Sequence, residues 1–377
     1  MKRLYAIAKK EVKQLSRDVR MLFVLFFFPV FLLGVFGYAV NFDVKHIKLA
    51  VHDKEKSDVT REFIRSLSGS EYFDVVLYIE NESNVKQVLD DKEAQCVVVF
   101  PEDFSKKIYY GKESAQVQFL IDGVDGNTAT IIKGYVEAAT NSFNISYQSD
   151  MFERYGMNMP LPVDLHSRFW YNPDLESTQY FIPGLIALIL VITAVVSVAL
   201  TLVREKERGT IEQINVSSIK TIELLVGKSL PYVVLALINA AFILTCGYIL
   251  FDMVVKGSYL LLFGSTLLFL VAATSIGIFI STVSDSQQVA FTLATFSSML
   301  PAVVLSGFIF PIESMPEAVQ VITNLTPAKF YIITLRAIVL RGVGLEAFWQ
   351  HWVYMAVFAI VPLLLASVVR KKKLAKS

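Results

Sequence analysis

Histidines and one glycine–lysine pair are the residues of this chain whose types could perform catalysis or bind a ligand. Of the four histidines, His46, His52, His166 and His351, only the first two could share a strand face and bind a metal ion. We favour two solvated residues over such a site. Residues 227–229 read GKS but lack the upstream glycine of a nucleotide-binding P-loop. The spacing therefore predicts no catalytic, metal or cofactor site in this chain.

A short charged stretch between two apolar runs is suited to binding a partner rather than to catalysis. Its charges alternate in sign over residues 204–208. Side chains three positions apart lie on one helix face, so this pattern predicts ion pairs between Arg204 and Glu207 and between Glu205 and Arg208. We expect these charges to be solvated and to serve a partner rather than the fold.

The next residues predict a helix end followed by a new, short helix. Gly209 fits the left-handed position after a helix C-terminus. Thr210 and Gln213 have the spacing of a capping box, and the apolar side chains around them give the new helix a partly apolar face. Such a helix could dock into a cleft on a soluble protein, and a plain connecting loop fits the same pattern.

The elements that position these residues belong to an unusually apolar chain. Its 377 residues are 54% hydrophobic and 18% charged, whereas soluble proteins carry about 25% charged residues. A net charge of +1 argues against a nucleic-acid binder. Six runs free of Asp, Glu, Lys and Arg reach the length of about 20 residues that a membrane span needs. They are residues 21–42, 177–203, 229–251, 257–284, 286–312 and 347–369.

The six runs contain no carboxylate, lysine or arginine, and only His351 lies near the end of one of them, which excludes some energy sources. Proton- or sodium-driven carriers usually hold a charged side chain within a span despite its cost. Asn239, Thr193 and Ser197 can line a path or form hydrogen bonds between helices, but they cannot relay protons. Energy for uphill transport must therefore come from elsewhere, and an intramembrane enzyme is disfavoured for the same reason.

Basic residues predict the orientation. Residues 1–20 contain seven basic and two acidic side chains, and the tail 370–377 contains five basic and no acidic ones. The hydrophilic stretch 43–176 contains 14 basic and 23 acidic side chains. Because basic segments stay in the cytoplasm, both termini are predicted inside and residues 43–176 outside. The run 21–42 is longer than a signal-peptide core, so we interpret it as an uncleaved anchor.

The exported stretch is predicted to be an α/β domain. Short β-branched or aromatic runs predict strands at 47–51, 75–79, 97–100 and 117–121, and polar segments with helical spacing predict helices at 58–67, 83–89 and 102–109. Residues 128–155 predict a long helix, either a stalk or a helix packed on the sheet. The predicted fold is thus an α-helical integral membrane protein with six transmembrane helices in a one-plus-five arrangement and an inserted extracytoplasmic α/β domain.

Three sequence motifs are specific enough to indicate a family. The first is EKERGTIEQ at 205–213, followed by GK at 227–228 and PY at 231–232. The second is RFWYNP at 168–173. The third is LSGFIFPIESMP at 305–316, continued by LTP at 325–327 and by Arg336. These motifs resemble those of ABC-2 type transporter permeases, most closely the bacterial multidrug-efflux-like branch. The resemblance covers the whole chain and is most specific over residues 168–345.

This resemblance implies a dimeric permease of the bacterial inner membrane, built from two copies or from two similar chains. It would be gated by two cytoplasmic ATPase subunits that hold ATP and magnesium, with no cofactor in this chain and a periplasmic adaptor as a further candidate partner. Residues 1–20 would form an interfacial helix, 177–369 the five-helix domain, 204–228 the coupling loop and 313–346 short external re-entrant helices. The implied ATPase-coupling residues are Arg204, Glu205, Lys206, Glu207, Arg208, Gly209, Thr210, Glu212 and Gln213.

Two other classes of function fit parts of this pattern. The exported domain could bind a ligand for a membrane sensor, or it could anchor an envelope complex. A sensor rarely needs six spans, and no predicted cytoplasmic segment is long enough for an output domain, so we favour the exporter. Its pathway is uncharged, which suits drugs, lipids and polysaccharide-linked cargo alike.

Overall fold

In the part of the chain that the structure describes, most residues are helical, and four short strands form one sheet. The computed structural model describes residues 2–39, 44, 46–110, 114–154, 170–172, 176–212 and 219–374. The main helices of these residues are α1 (Lys2–Arg17), α2 (Val19–Ala39), α3 (Asp58–Ser68), α4 (Ser83–Asp90), α5 (Phe104–Tyr110), α6 (Gly126–Arg154), α7 (Ser177–Glu207), α8 (Thr221–Phe251), α9 (Tyr259–Val283), α10 (Gln287–Val304), α11 (Glu317–Ile322), α12 (Pro327–Arg336) and α13 (Trp349–Leu374). The strands are β1 (Ile47–Asp53), β2 (Phe73–Tyr78), β3 (Cys96–Phe100) and β4 (Gln118–Ile121).

The chain divides into two compact units, which we call the α/β unit (residues 42–167) and the helical unit (residues 1–41 and 168–377). In the α/β unit the strand order is β2-β1-β3-β4. The central strand β1 pairs in parallel with β2 and β3, and β4 pairs with β3 in antiparallel orientation. All four strands overlap the runs that their β-branched and aromatic residues predicted.

Helices cover both faces of this sheet. Phe63 on α3 and Ile132 on α6 share one buried cluster with Leu49 and Val98 of the central strands. Val85 on α4 belongs to the cluster on the opposite face. The long helix predicted from residue 128 therefore packs on the sheet rather than standing away as a stalk; its last predicted residue, Tyr155, lies outside the described residues.

The two histidines of the α/β unit have different environments. His46 is exposed, with Nδ1 3.1 Å from Asp74 Oδ2. His52 is buried in β1, with Nδ1 2.7 Å from the carbonyl oxygen of Ile79. The interpretation of both as solvated residues is wrong for His52, because its strand position faces the interior. Among the described residues, no group of three or more His, Cys, Asp and Glu side chains could hold a metal ion. His166 lies outside the described residues.

In the helical unit, four of the six predicted spans are helices long and apolar enough to cross a membrane, namely α7, α8, α9 and most of α13. The other two predicted spans coincide with α2, which has a shorter apolar stretch at Leu25–Ala39, and with the 18-residue α10. Helix α7 packs against α2, α8, α9 and α10. A Cβ at Gly277 of α9 would lie 2.6 Å from the carbonyl oxygen of Val195, so glycine allows α9 to approach α7 closely.

Two connections position the candidate site. Helix α8 begins at Thr221, well before the predicted start of its span at residue 229, because the Glu223 carboxylate accepts a hydrogen bond from the Lys220 backbone N–H and caps the helix. Residues 312–347, after α10, form short helical pieces. Pro311 and Pro316 precede the first two pieces, and Pro327 begins α12, as expected for residues that break helices.

Candidate functional site

Four charged side chains from three helices meet where α7 ends and α8 begins. We call Lys10, Glu11, Glu205 and Lys228 the charge cluster. Lys228 Nζ lies 2.6 Å from Glu11 Oε1 and 3.3 Å from Glu205 Oε1. Lys10 Nζ lies 2.8 Å from Glu205 Oε1. Lys228 is only 2% exposed, and both carboxylates are buried as well, so each of these charges depends on its partners.

The amphipathic helix α1 brings Lys10 and Glu11 to the cluster. Ile7, Glu11 and Leu15 are spaced four residues apart and therefore lie on one face of α1. Ile7 and Leu15 belong to a buried apolar cluster that includes Leu224 of α8. A Cβ at Gly227 would lie 3.1 Å from Ile7 Cβ, so this glycine lets α1 lie directly against the first turns of α8.

The segment after α7 is attached to the same cluster. Gly209 has φ of +69°, the left-handed conformation predicted for the end of this helix. The Thr210 hydroxyl then turns back and donates a hydrogen bond to the Glu205 carboxylate. Glu205 is thus the residue at which α1, α7, α8 and the segment that follows α7 are joined. The predicted capping box of Thr210 and Gln213 stays a prediction, because Gln213 lies outside the described residues.

The next two charges hold the turn between α9 and α10. Lys206 Nζ donates hydrogen bonds to the carbonyl oxygens of Thr282 (3.2 Å) and Ser284 at the end of α9. The Glu207 carboxylate accepts a hydrogen bond of 2.7 Å from the backbone N–H of Gln287, the first residue of α10. A cation at a helix C-terminus and an anion at a helix N-terminus are both favourable arrangements. Lys206 and Glu207 thus attach the end of α7 directly to this turn.

The expectation that the charges of 204–208 serve only a partner is therefore wrong for Glu205, Lys206 and Glu207. The predicted pairing of Glu205 with Arg208 fails because α1 covers this face of α7 and supplies Lys10. Arg204 lies 3.9 Å from Asp18 of the same N-terminal segment.

The predicted coupling residues that remain available on the surface are few. Arg208, Gly209 and Glu212 are exposed. Glu207 is also exposed, although its carboxylate binds Gln287. Gln213 lies outside the described residues, as do residues 168, 169 and 173 of the RFWYNP motif.

Sequence reasoning missed Glu11 and Lys228 as partners. Their signal was present, because Glu11 occupies the apolar face of an amphipathic helix and Lys228 borders a long apolar run. A charge in either place needs an opposite charge nearby. The identity of the opposite charge depends on tertiary contact, because Glu11 and Lys228 are 217 positions apart in the sequence.

A second polar contact joins two parts of the third sequence motif to the other end of α7. The Arg336 guanidinium donates hydrogen bonds to the carbonyl oxygens of Tyr180 (2.9 Å from Nη2) and Gly307 (3.0 Å from Nη1). It also lies 3.6 Å from the centre of the Tyr180 ring. Gly307 has φ of +77°, so its carbonyl oxygen is presented by a turn that favours glycine. Arg336 thus attaches the short helices after α10 to the start of α7.

Neither polar contact has the components of a catalytic site. The charge cluster pairs its carboxylates with lysines and contains no nucleophile, and Lys228 is engaged by Glu11 rather than free for a phosphate. What the arrangement can do is transmit movement. A displacement of residues 208–212 acts on α1 and α8 through Glu205 and on the α9–α10 turn through Lys206 and Glu207.

Comparisons with known proteins agree with this architecture. The family model described as ABC-2 family transporter protein matches residues 19–368. A probable multidrug ABC transporter permease of Escherichia coli, YbhS, is 30% identical over 90% of this chain and 89% of its own length. A second such permease of that organism, YbhR, is 27% identical over 95% of both chains. Its inner membrane transport permease YhhJ is 27% identical over 93% of this chain and 92% of its own.

Proposed function

Because the chain belongs to the ABC-2 family of transporter proteins and is a membrane subunit of an ABC exporter, we propose that it forms the export pathway for a drug-like, lipidic or other amphipathic substrate. The uncharged spans support this substrate class, since they offer no partner for a charged solute. Two of the similar proteins are named as probable multidrug permeases, which favours drug-like molecules within the class.

The observation that carries the mechanism is the attachment of the segment after α7 to the charge cluster. ATP binding and hydrolysis would take place in a separate cytoplasmic ATPase subunit, which holds the ATP and magnesium. That subunit would push on the exposed residues Arg208 and Glu212. Glu205 would pass the movement to α1 and α8, and Lys206 and Glu207 would pass it to the α9–α10 turn.

The proposal includes an arrangement in the membrane and an assembly. Six helices span the bacterial inner membrane, α2 and α10 among them, with both termini in the cytoplasm and the α/β unit outside. The basic segments 1–20 and 370–377 support this orientation, because basic residues stay on the cytoplasmic side. Two permease chains, identical or similar, would work with two ATPase subunits, and a periplasmic adaptor could bind the α/β unit.

Charge reversal at the exposed residues tests the coupling role. In the double variant R208E/E212K we expect association with the ATPase subunit to fall roughly tenfold or more, because like charges facing each other at an interface cost several kcal/mol. Permease level and thermal midpoint should stay unchanged, since exposed charges contribute about 0–1 kcal/mol to stability. Glu207 is left intact because it holds Gln287. The measurement is co-purification of the ATPase, normalised to permease.

The matched control is E317K, a charge reversal at an exposed residue of α11. It should leave ATPase association unchanged. Gly209 provides a second pair of variants: G209V should impair coupling because a β-branched residue resists positive φ, whereas G209N should be tolerated because asparagine adopts it. Wild-type association in both R208E/E212K and G209V would show that the segment is only a connector.

A further inference from the structure

Asn239 is an amide within the apolar length of α8. Its side chain is 1% exposed, and neither Oδ1 nor Nδ2 has a hydrogen-bond partner among the described residues. Burying an unpaired amide costs on the order of a few kcal/mol, and a bilayer offers no bulk water to replace the missing partners. Proteins rarely leave such a group unsatisfied, so this position points to a bound molecule.

A small cavity adjoins Asn239 and has room for such a molecule. Its volume is about 10 Å³, and it lies between α8, α7 and the N-terminal helices. Its lining is mostly leucine and alanine, with Thr193, Ser197 and Tyr232 as the other polar side chains. A cavity of about 10–15 Å³ by this measure holds one water molecule, provided that polar groups are within reach.

We propose that this cavity binds one water molecule, which bridges Asn239 on α8 to Ser197 and Thr193 on α7. The amide can donate through Nδ2 and accept through Oδ1, so it can bind water in either role. The Thr193 hydroxyl already donates to the carbonyl oxygen of Ile189 at 2.8 Å, so it is available to the water as an acceptor. The Ser197 hydroxyl can act as donor or acceptor.

A water bridge gives the contact between α7 and α8 a specific property. A direct hydrogen bond breaks when two helices shift, whereas a water molecule can rotate and keep both partners satisfied. Helices α7 and α8 are the pair that flank the segment 208–220. If that segment is the coupling element, a point that rests on the proposed function, the bridge lies on the helices that the ATPase moves.

A double-mutant cycle tests the bridge itself. We compare thermal midpoints of the full chain in nanodiscs for N239L, S197A and the double variant. If one water joins the two residues, either substitution removes it. The midpoint of the double variant should then fall by less than the sum of the two single decreases, by at least about 2 °C. The control pair is T245V with S197A, because Thr245 is an exposed residue of the same helix bonded to its own helix at Ala241. That pair should be additive.

Filling the cavity provides a second measurement. A194V places methyl groups where the water binds, because Ala194 lines the cavity. It should lower the midpoint in the wild-type background and have little effect when combined with N239L. Additive midpoints for N239L and S197A, or an equal effect of A194V in both backgrounds, would overturn the proposal. If N239L does not fold, N239A takes its place in both measurements.

The functional consequence has its own readout. With the ATPase bound, N239L should change the ratio of substrate-stimulated to basal ATP hydrolysis at least twofold, while T245V should not. An unchanged hydrolysis ratio in N239L, together with a non-additive double-mutant cycle, would contradict the link to coupling but not the water site. Failure of any ATPase to associate would count against the proposed function rather than against the water site.

Discussion

Lys228 lies inside the protein only because two carboxylates neutralise it. Moving an ammonium group out of water costs several kcal/mol, and attraction to a close anion repays this when the geometry is good. Glu11 at 2.6 Å and Glu205 at 3.3 Å provide that geometry. Glu205 has a second cation in Lys10, whereas Lys228 is the one cation that pairs with Glu11 among the described residues.

The first prediction follows from this difference. K228M should destabilise the helical unit by about 3–5 kcal/mol, because it leaves Glu11 buried without its cation. The double variant E11M/K228M should recover much of that loss, since Glu205 keeps Lys10 and an apolar pair replaces the buried ions. Thermal unfolding in detergent measures both. If E11M/K228M is no more stable than K228M, the unpaired charge of Glu11 is not what destabilises K228M.

At the scale of elements, the packing of α1 on α8 depends on the absence of a side chain at Gly227. We expect G227V to destabilise the protein by about 1–3 kcal/mol, because its methyl groups would push against Ile7. G34A is the matched control, since a Cβ at Gly34 of α2 meets nothing within 4 Å. Limited proteolysis near residue 18 should detect release of α1 in the valine variant. Equal protection in both variants would contradict this account of the packing.

The elements of the α/β unit were largely predictable from the sequence, and the charge cluster was not. Strand β3 was visible as a β-branched run, and α3 as a polar segment with helical spacing, because both patterns are local. The helix end at Gly209 was predicted for the same reason. The pairing of Glu11 with Lys228 depends on how α1 lies against α8, and no local pattern contains that information. The first turns of α8 lie outside the predicted span, because that span was bounded by runs without charged residues and Lys228 ends the run.

For the whole molecule, orientation can be measured with single cysteines. Val124 is exposed between β4 and α6, so V124C should react with a membrane-impermeant maleimide on intact cells. E212C should react only after the membrane is opened. The native Cys96 should not interfere, because it is buried and burial raises the pKa of its thiol to about 12. Labelling of E212C in intact cells would reverse the proposed topology.

The energy source is also a property of the whole assembly. Purified without partners and placed in liposomes, the protein should neither hydrolyse ATP nor move substrate in response to a pH gradient, because its six apolar runs hold no carboxylate and Lys228 is engaged by Glu11. The same liposomes with the ATPase subunit added serve as the control. Proton-driven movement of substrate by this chain alone would refute the proposed mechanism.

The charge cluster has a consequence for the membrane potential. Its two lysines and two glutamates sum to zero and pair with one another; Glu11, Glu205 and Lys228 are buried, whereas Lys10 is also exposed to solvent. Moving one net elementary charge through the field costs about 2.3 kcal/mol per 100 mV, but a neutral group moves without that work. If the cluster shifts as one body during each cycle, it carries no gating charge. The rate of its movement should then be the same in an energised cell and in a depolarised one.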